Sequence, residues 1–252
     1  MWNLLYKLAS PRFFYQYSTR LLPWFWTIFS ISAGYTLIGA LYLAPPDYQQ
    51  GDAFRIIYIH VPSAALSLAI YVFMAFTAIL NLVWHIKLAD IFSQVCAKLG
   101  AWLTLLALVS GALWGKPMWG TWWVWDARLT SELILLFIYL AIIVLRQCIP
   151  DVERAGRACS ILTLVGLVDL PIIHYSVYWW NTLHQQATLF QFAKPNIVSS
   201  MLYPLLASLI AFMSYAILVI LIQARYEVLK RNKESQWAMQ FLIGPSREHY
   251  AE

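Results

Sequence analysis

Six long apolar runs constrain this sequence more than any other feature. They cover residues 23–44, 61–84, 99–115, 129–145, 158–180 and 201–224, and only the fourth and fifth contain an acidic residue or a histidine. A helix needs about 20 predominantly apolar residues to cross the hydrocarbon layer of a bilayer. With 61% hydrophobic and 12% charged residues in 252 positions, a soluble fold is excluded. We predict an all-α integral membrane protein with six transmembrane helices, forming one polytopic domain over residues 1–252.

The distribution of lysine and arginine predicts the orientation of these spans. An even number of spans places both termini on the same side of the membrane. The N-terminal arm, the second and fourth loops and the tail together carry thirteen of these basic residues, whereas the other three loops carry four. The positive-inside rule places the richer set, including the tail 226–252, in the cytoplasm. Residues 45–60, 114–128 and 181–200 are then expected to face outward.

A tryptophan-rich segment, WGKPMWGTWWVWD, joins the third and fourth spans. Interfacial anchoring explains an isolated tryptophan, but this segment holds five of the chain's 13: Trp114, Trp119, Trp122, Trp123 and Trp125. Positions 119, 122, 123 and 126 have helical spacing, which predicts a short interfacial helix with one aromatic face. Such a face suits a large planar ligand. Asp126 has a second interpretation, because it could simply be the N-cap of the fourth membrane helix.

Two of the five histidines, His60 and His184, lie at the outward ends of spans two and five. A single histidine is more often hydrogen-bonded or interfacial than a metal ligand. Two imidazoles at one depth beside tryptophans could instead ligate the iron of a planar macrocycle from both sides, because haem iron readily takes axial histidines. Zinc is disfavoured because it requires three or four ligands, and the three cysteines lie near the cytoplasmic span ends.

Outward basic residues are candidate partners for the carboxylates of such a ligand. They are Arg55, Lys116, Arg128 and Lys194, of which Arg128 and Arg55 are preferred because a guanidinium binds a carboxylate through two parallel hydrogen bonds. Binding to lipid headgroups is the alternative role. Three ionisable residues, Glu132, Asp169 and His174, fall inside predicted spans. Such residues are often functional, but a structural role for them stays open.

The run WGTWWVWDARLT, residues 119–130, resembles the tryptophan-rich "WWD" signature of membrane proteins that handle haem. With six spans and two outward histidines, essentially the whole chain resembles the CcmC family of cytochrome c maturation proteins. The resemblance implies a haem-binding protein of the bacterial inner membrane, with haem b held on the periplasmic side. It further implies that His60 and His184 are the axial ligands and that the segment 114–130 is the haem platform.

The same resemblance implies a transfer role in which the chain itself is not an enzyme. Haem would be presented for covalent attachment to the chaperone CcmE, in company with CcmD and the ABC transporter subunits CcmA and CcmB, which hydrolyse ATP. Two alternatives remain. A cytochrome b-like electron-transfer subunit would also use paired histidines, although it usually buries them within a helical bundle. An assembly or scaffolding subunit would bind no cofactor.

Overall fold

A computed structural model describes residues 10–184 and 197–243, and the secondary structure of this part is helical apart from one isolated bridge between Asp47 and Gly51. Six of its helical segments are long and apolar enough to cross a membrane. The elements, in chain order, are α1 (Pro11–Ile38) with a π-helical extension (Gly39–Leu43), a 3-10 helix (Asp52–Ile56), α2 (Ile57–Trp84), α3 (Lys87–Trp119), α4 (Ala127–Cys148), α5 (Val152–Gly166), α6 (Asp169–Trp179), α7 (Ser199–Arg231) and α8 (Gln236–Ile243).

The all-α membrane fold with six spanning segments is confirmed. The helices extend beyond most of the predicted spans, because their polar ends continue past the apolar runs. The fifth span differs in kind, since it is divided into α5 and α6 around residues 167–168. Pro171 explains part of this break, because it has no N–H to donate to the carbonyl of Leu167.

The prediction of a short interfacial helix between spans three and four is wrong. Helix α3 continues through Lys116 and Pro117 to Trp119, and Gly120 ends it in a left-handed conformation with φ 76°. A C-terminal glycine of this kind is a strong helix stop. Residues 121–126 then run without helix to Asp126, the N-cap of α4. The helical spacing of positions 119–126 therefore does not correspond to one helical face.

The bundle packs α2 along α3 and α1 along α7, with α4 against α3, α5 and α6. Two buried tyrosines connect the helices at the centre of the bundle through hydrogen bonds. The Tyr139 hydroxyl donates to the Ser67 carbonyl at 2.7 Å, and the Tyr71 hydroxyl donates to the Thr163 carbonyl at 3.0 Å. The two rings meet edge to face with centroids 5.2 Å apart. In the membrane these satisfied hydroxyls hold α2, α4 and α5 in a fixed register.

Close packing of α3 against α4 depends on Gly100, because a Cβ atom there would collide with the Tyr139 ring. We expect Gly100→Ala to lower the free energy of unfolding by about 1–3 kcal/mol, as overpacking does. Gly34→Ala is the matched control, since a Cβ at Gly34 meets nothing within 4 Å and alanine favours helix by about 1 kcal/mol. Denaturant titration in mixed micelles measures both variants. Equal stability of the two variants would contradict this packing.

Candidate functional site

Three connecting segments predicted to face the same side meet at one end of the bundle. The Trp114 indole N–H donates to Gln50 Oε1 at 2.9 Å, which joins the first segment to the outer end of α3. The Trp119 ring contacts the His184 imidazole edge to face, with centroids 5.0 Å apart. Trp114 and Trp119 are themselves 5.1 Å apart. The structure therefore brings the tryptophan segment and one of the two predicted histidines into direct contact.

His60 lies partly buried where α2 packs against α3, and its Nδ1 atom is engaged by α3. Nδ1 is 3.0 Å from the Ala107 carbonyl and 3.1 Å from Ser110 Oγ. A carbonyl can only accept, so Nδ1 carries the proton and Nε2 keeps its lone pair. Gly111 leaves room for this ring, because a Cβ there would be 3.1 Å from His60 Cε1. A neutral imidazole with a free Nε2 is the form that ligates metals.

His184 is oriented in the same way by a carboxylate. Its Nδ1 is 3.3 Å from Asp126 Oδ2, and only 17% of its side chain is exposed. The other carboxylate oxygen of Asp126 accepts from the Leu129 N–H at 2.8 Å and caps α4. Both interpretations of Asp126 are thus compatible, since one oxygen caps the helix and the other orients the imidazole. Nε2 of His184 is again the nitrogen left for a ligand.

The electrostatics of this site favour a neutral imidazole at His184. Burial lowers the pKa of His184 below its ordinary value, the Asp126 carboxylate opposes that shift, and the Arg128 cation adds to it. His60, His184 and Arg128 lie close enough to interact through their charges. Because protonation would block ligation, a lowered pKa keeps His184 available as a ligand into mildly acidic conditions.

The five tryptophans of the segment differ in their solvent exposure. Trp122 and Trp125 are 55% and 76% exposed, whereas the other three are partly buried. Lys116 lies over the Trp122 ring at 5.9 Å from its centroid. The Trp123 indole nitrogen is buried and, within the described part of the chain, has no hydrogen-bond partner. An orphaned donor of this kind suits a ligand that brings its own acceptor, such as a carboxylate.

The basic residues predicted to bind the carboxylates of a ligand differ in their positions relative to the site. Arg128 Nη1 donates to the Ile173 carbonyl at 3.3 Å, beside the histidine pair. Arg55 is held elsewhere: its Nε donates to Asp52 at 2.9 Å, and its guanidinium binds the Ala40 carbonyl and lies over Phe54. No described contact brings it to the histidines. Lys194 lies outside the described residues.

Glu132, Asp169 and His174, which lie inside the spans, have three different environments. Glu132 is buried and accepts from Ser67 Oγ at 3.0 Å. Asp169 begins α6, and its buried Oδ2 has no partner among the described residues. His174 is exposed on α6, where its ring meets that of Tyr175 edge to face.

Sequence reasoning missed the residues that hold the predicted ligands in place. Ser110, Gly111 and Gln50 carry no local signal, since their roles arise only when α2 packs on α3 and the first connecting segment folds over Trp114. Gly115 is similar: it lies inside α3, where a Cβ would be 3.1 Å from the Trp119 ring. Its small size lets that indole fold back against the helix.

Comparison with known proteins places the chain in a family. The family model described as "Heme exporter protein C" (CcmC) matches residues 4–239. The chain belongs to the heme exporter protein C family. Among CcmC relatives, "Heme exporter protein C" of Haemophilus influenzae is 45% identical over 94% of this chain and 96% of its own length. The Escherichia coli K12 CcmC protein of the same name is 44% identical over 98% and 100%.

The CcmC likeness extends beyond bacteria. A Marchantia polymorpha protein named "Putative cytochrome c biosynthesis ccmC-like mitochondrial protein" is 41% identical over 88% of this chain and 94% of its own. These CcmC relatives match this chain over nearly their full lengths.

Proposed function

We propose that this protein binds haem at the tryptophan-rich end of the bundle and presents it for transfer during the maturation of c-type cytochromes. One observation carries the proposal: two imidazoles lie close enough to interact electrostatically, each is engaged at Nδ1, and one of them contacts Trp119. Neither Nε2 atom has a partner among the described residues. Membership of a family whose proteins are named heme exporters supports it. Here haem b is the cargo, and the chain supplies no nucleophile.

Each residue then has a defined task. His60 and His184 ligate the iron from opposite sides through Nε2, and Asp126 fixes the orientation of the second ligand. Trp119 packs against His184 and shields its imidazole from water. The buried indole N–H of Trp123 and the guanidinium of Arg128 are the donors available to the propionates. Arg55 is not assigned to haem, because its guanidinium is already engaged.

The exposed tryptophan rings offer a surface on which a partner protein can dock. Trp122 and Trp125 remain exposed, and their amphipathic indoles suit a protein interface beside the bound haem. We propose that CcmE docks there and receives the haem on its own histidine. CcmD and the ATP-hydrolysing subunits CcmA and CcmB are the proposed companions. We propose an inner-membrane location, and the positive-inside rule supports cytoplasmic termini and a periplasmic site.

Trp119 is the tryptophan whose removal should harm haem binding most directly. We expect Trp119→Ala to weaken haem retention by about tenfold, because an aromatic pair worth about 1 kcal/mol and the shielding of the ligand are both lost. The measurement is haem per protein from the absorbance of purified samples. Trp24→Ala is the control, since Trp24 is 70% exposed on α1, remote from the site in sequence. Equal haem content in both variants would remove Trp119 from the site.

A further inference from the structure

A cavity lies between α3 and α7, toward the end of the bundle away from the tryptophan segment. Its volume is about 350 Å³. The residues that matter for its chemistry are Gln94, Lys98 and Trp102 on α3 and Tyr215, Gln223 and Glu227 on α7. Polar and charged side chains thus line one part of the cavity, and aromatic side chains line another.

The position of this cavity along α3 corresponds to the membrane boundary. Lys98 and Lys116 are 18 residues apart, or about 27 Å along a helix, close to the ~30 Å thickness of the hydrocarbon layer. Arg128 and Arg146 have the same separation on α4, and Arg146 donates to Gln94 at 3.4 Å. The level of Gln94 and Lys98 is therefore the headgroup level of the leaflet opposite the tryptophan segment.

The two aromatic residues lie deeper in that leaflet. Trp102 is one turn further into the membrane than Lys98 on α3, and Tyr215 is two turns further than Gln223 on α7. Trp102 is 59% exposed and Tyr215 is 40% exposed, so both present surface to the bilayer. A molecule in this cavity would contact charges at its head and aromatic rings below, which is the pattern of a lipid.

The charges at the head of the cavity are incompletely neutralised. Glu227 is buried, and its one ion-pair contact in the described part of the chain is Arg231 Nε at 3.9 Å, beyond hydrogen-bond range. Arg231 is committed to Asp90, with Nη1 2.7 Å from Oδ2. Lys98 is exposed and forms no ion pair within residues 10–184 and 197–243. A buried carboxylate with so weak a partner favours a ligand that brings a cation.

We propose that this cavity binds a phospholipid whose headgroup carries both a phosphate and a primary amine. The Lys98 ammonium binds the phosphate, assisted by the amides of Gln94 and Gln223. The Glu227 carboxylate accepts hydrogen bonds from the amine. Because the Gln94 carbonyl oxygen already accepts from Arg231 and Arg146, its N–H groups are the part available to the lipid. The acyl chains lie along Trp102 and Tyr215.

The test is native mass spectrometry of the delipidated full chain titrated with three lipids. Phosphatidylethanolamine presents a primary amine, phosphatidylcholine a quaternary one that cannot donate, and phosphatidylglycerol no amine. We expect phosphatidylethanolamine to bind about tenfold more tightly than the other two, the ratio that one charge-assisted hydrogen bond supports. Equal affinity for all three lipids, or a first preference for either competitor, would overturn the proposal.

Two variants that remove one charge each separate the contributions of the charges. Glu227→Gln should abolish the preference for phosphatidylethanolamine, and Lys98→Gln should weaken all three lipids because each has a phosphate. The controls are Glu153→Gln and Lys230→Gln, two exposed charges on the same side that do not line the cavity. Thermal unfolding in detergent verifies that each variant is folded. A preference that survives Glu227→Gln, or falls equally in Glu153→Gln, would contradict the assignment.

Discussion

Replacing both His60 and His184 with glycine is expected to leave the purified protein almost without haem while the bundle still inserts and folds. Each ring contributes its Nε2 lone pair, since Nδ1 is already engaged by Ala107 and Ser110 or by Asp126. Removing a group that only orients a metal ligand costs about 10–100-fold in affinity, so removal of both ligands should cost more. Haem per protein, measured by absorbance after purification, gives the result.

The chain provides a matched control for this experiment. His174 is an exposed histidine in α6 whose ring contacts Tyr175, so His174→Gly carries the same helix penalty as His60→Gly, about 1 kcal/mol, and leaves both proposed ligands in place. It should keep its haem. Added imidazole should restore the spectrum of the double variant by filling the space left by the side chains. Unchanged haem content and an unchanged spectrum in the double variant would remove both residues as ligands.

Substitutions of Asp126 should separate haem binding from stability. Asp126→Asn keeps an oxygen that can cap α4 but loses the carboxylate that holds His184. Asparagine and aspartate are about equally good N-caps. We therefore expect about 10–100-fold weaker haem binding with an unchanged free energy of unfolding. Asp126→Ala should show the same haem defect and a further loss of about 1 kcal/mol in stability. Haem titration and denaturant titration measure the two effects independently.

Asp151 is the natural control for Asp126, because it caps α5 through the same contact, accepting from the Arg154 N–H at 2.7 Å. Asp151→Ala should lose cap stability and keep haem affinity. If Asp126→Asn binds haem with the same affinity as the wild-type protein, the carboxylate acts only as a helix cap. If Asp151→Ala loses haem to the same extent, helix capping alone explains the effect.

The six spanning segments could be predicted because hydropathy over about 20 residues depends only on local sequence. The tryptophan segment could not be read in the same way. Helical spacing at positions 119–126 suggested a helix, but Gly120 and Asp126 act as a helix stop and a helix start, and they override the periodicity. Weighing those two end signals against the spacing would have predicted the observed loop.

The site was only partly predictable for a different reason. The residue types of His60, His184 and the tryptophans indicated a metal-binding macrocycle site without any tertiary information. The groups that orient them are distant in sequence: His60 contacts Ala107, 47 positions away, and His184 contacts Asp126, 58 positions away. Arg55 illustrates the converse, since its charge suggested a ligand contact while local partners already occupy it.

The proposed haem site requires both imidazoles to bind one iron, and near-infrared magnetic circular dichroism of the purified ferric protein tests this most directly. The charge-transfer band of low-spin ferric haem reports the pair of axial ligands. The predicted result is a bis-imidazole band in the unchanged protein that disappears in either single variant, His60→Ala or His184→Ala. A spectrum with one imidazole or none, or a bis-imidazole band that persists in either variant, would contradict the proposed coordination.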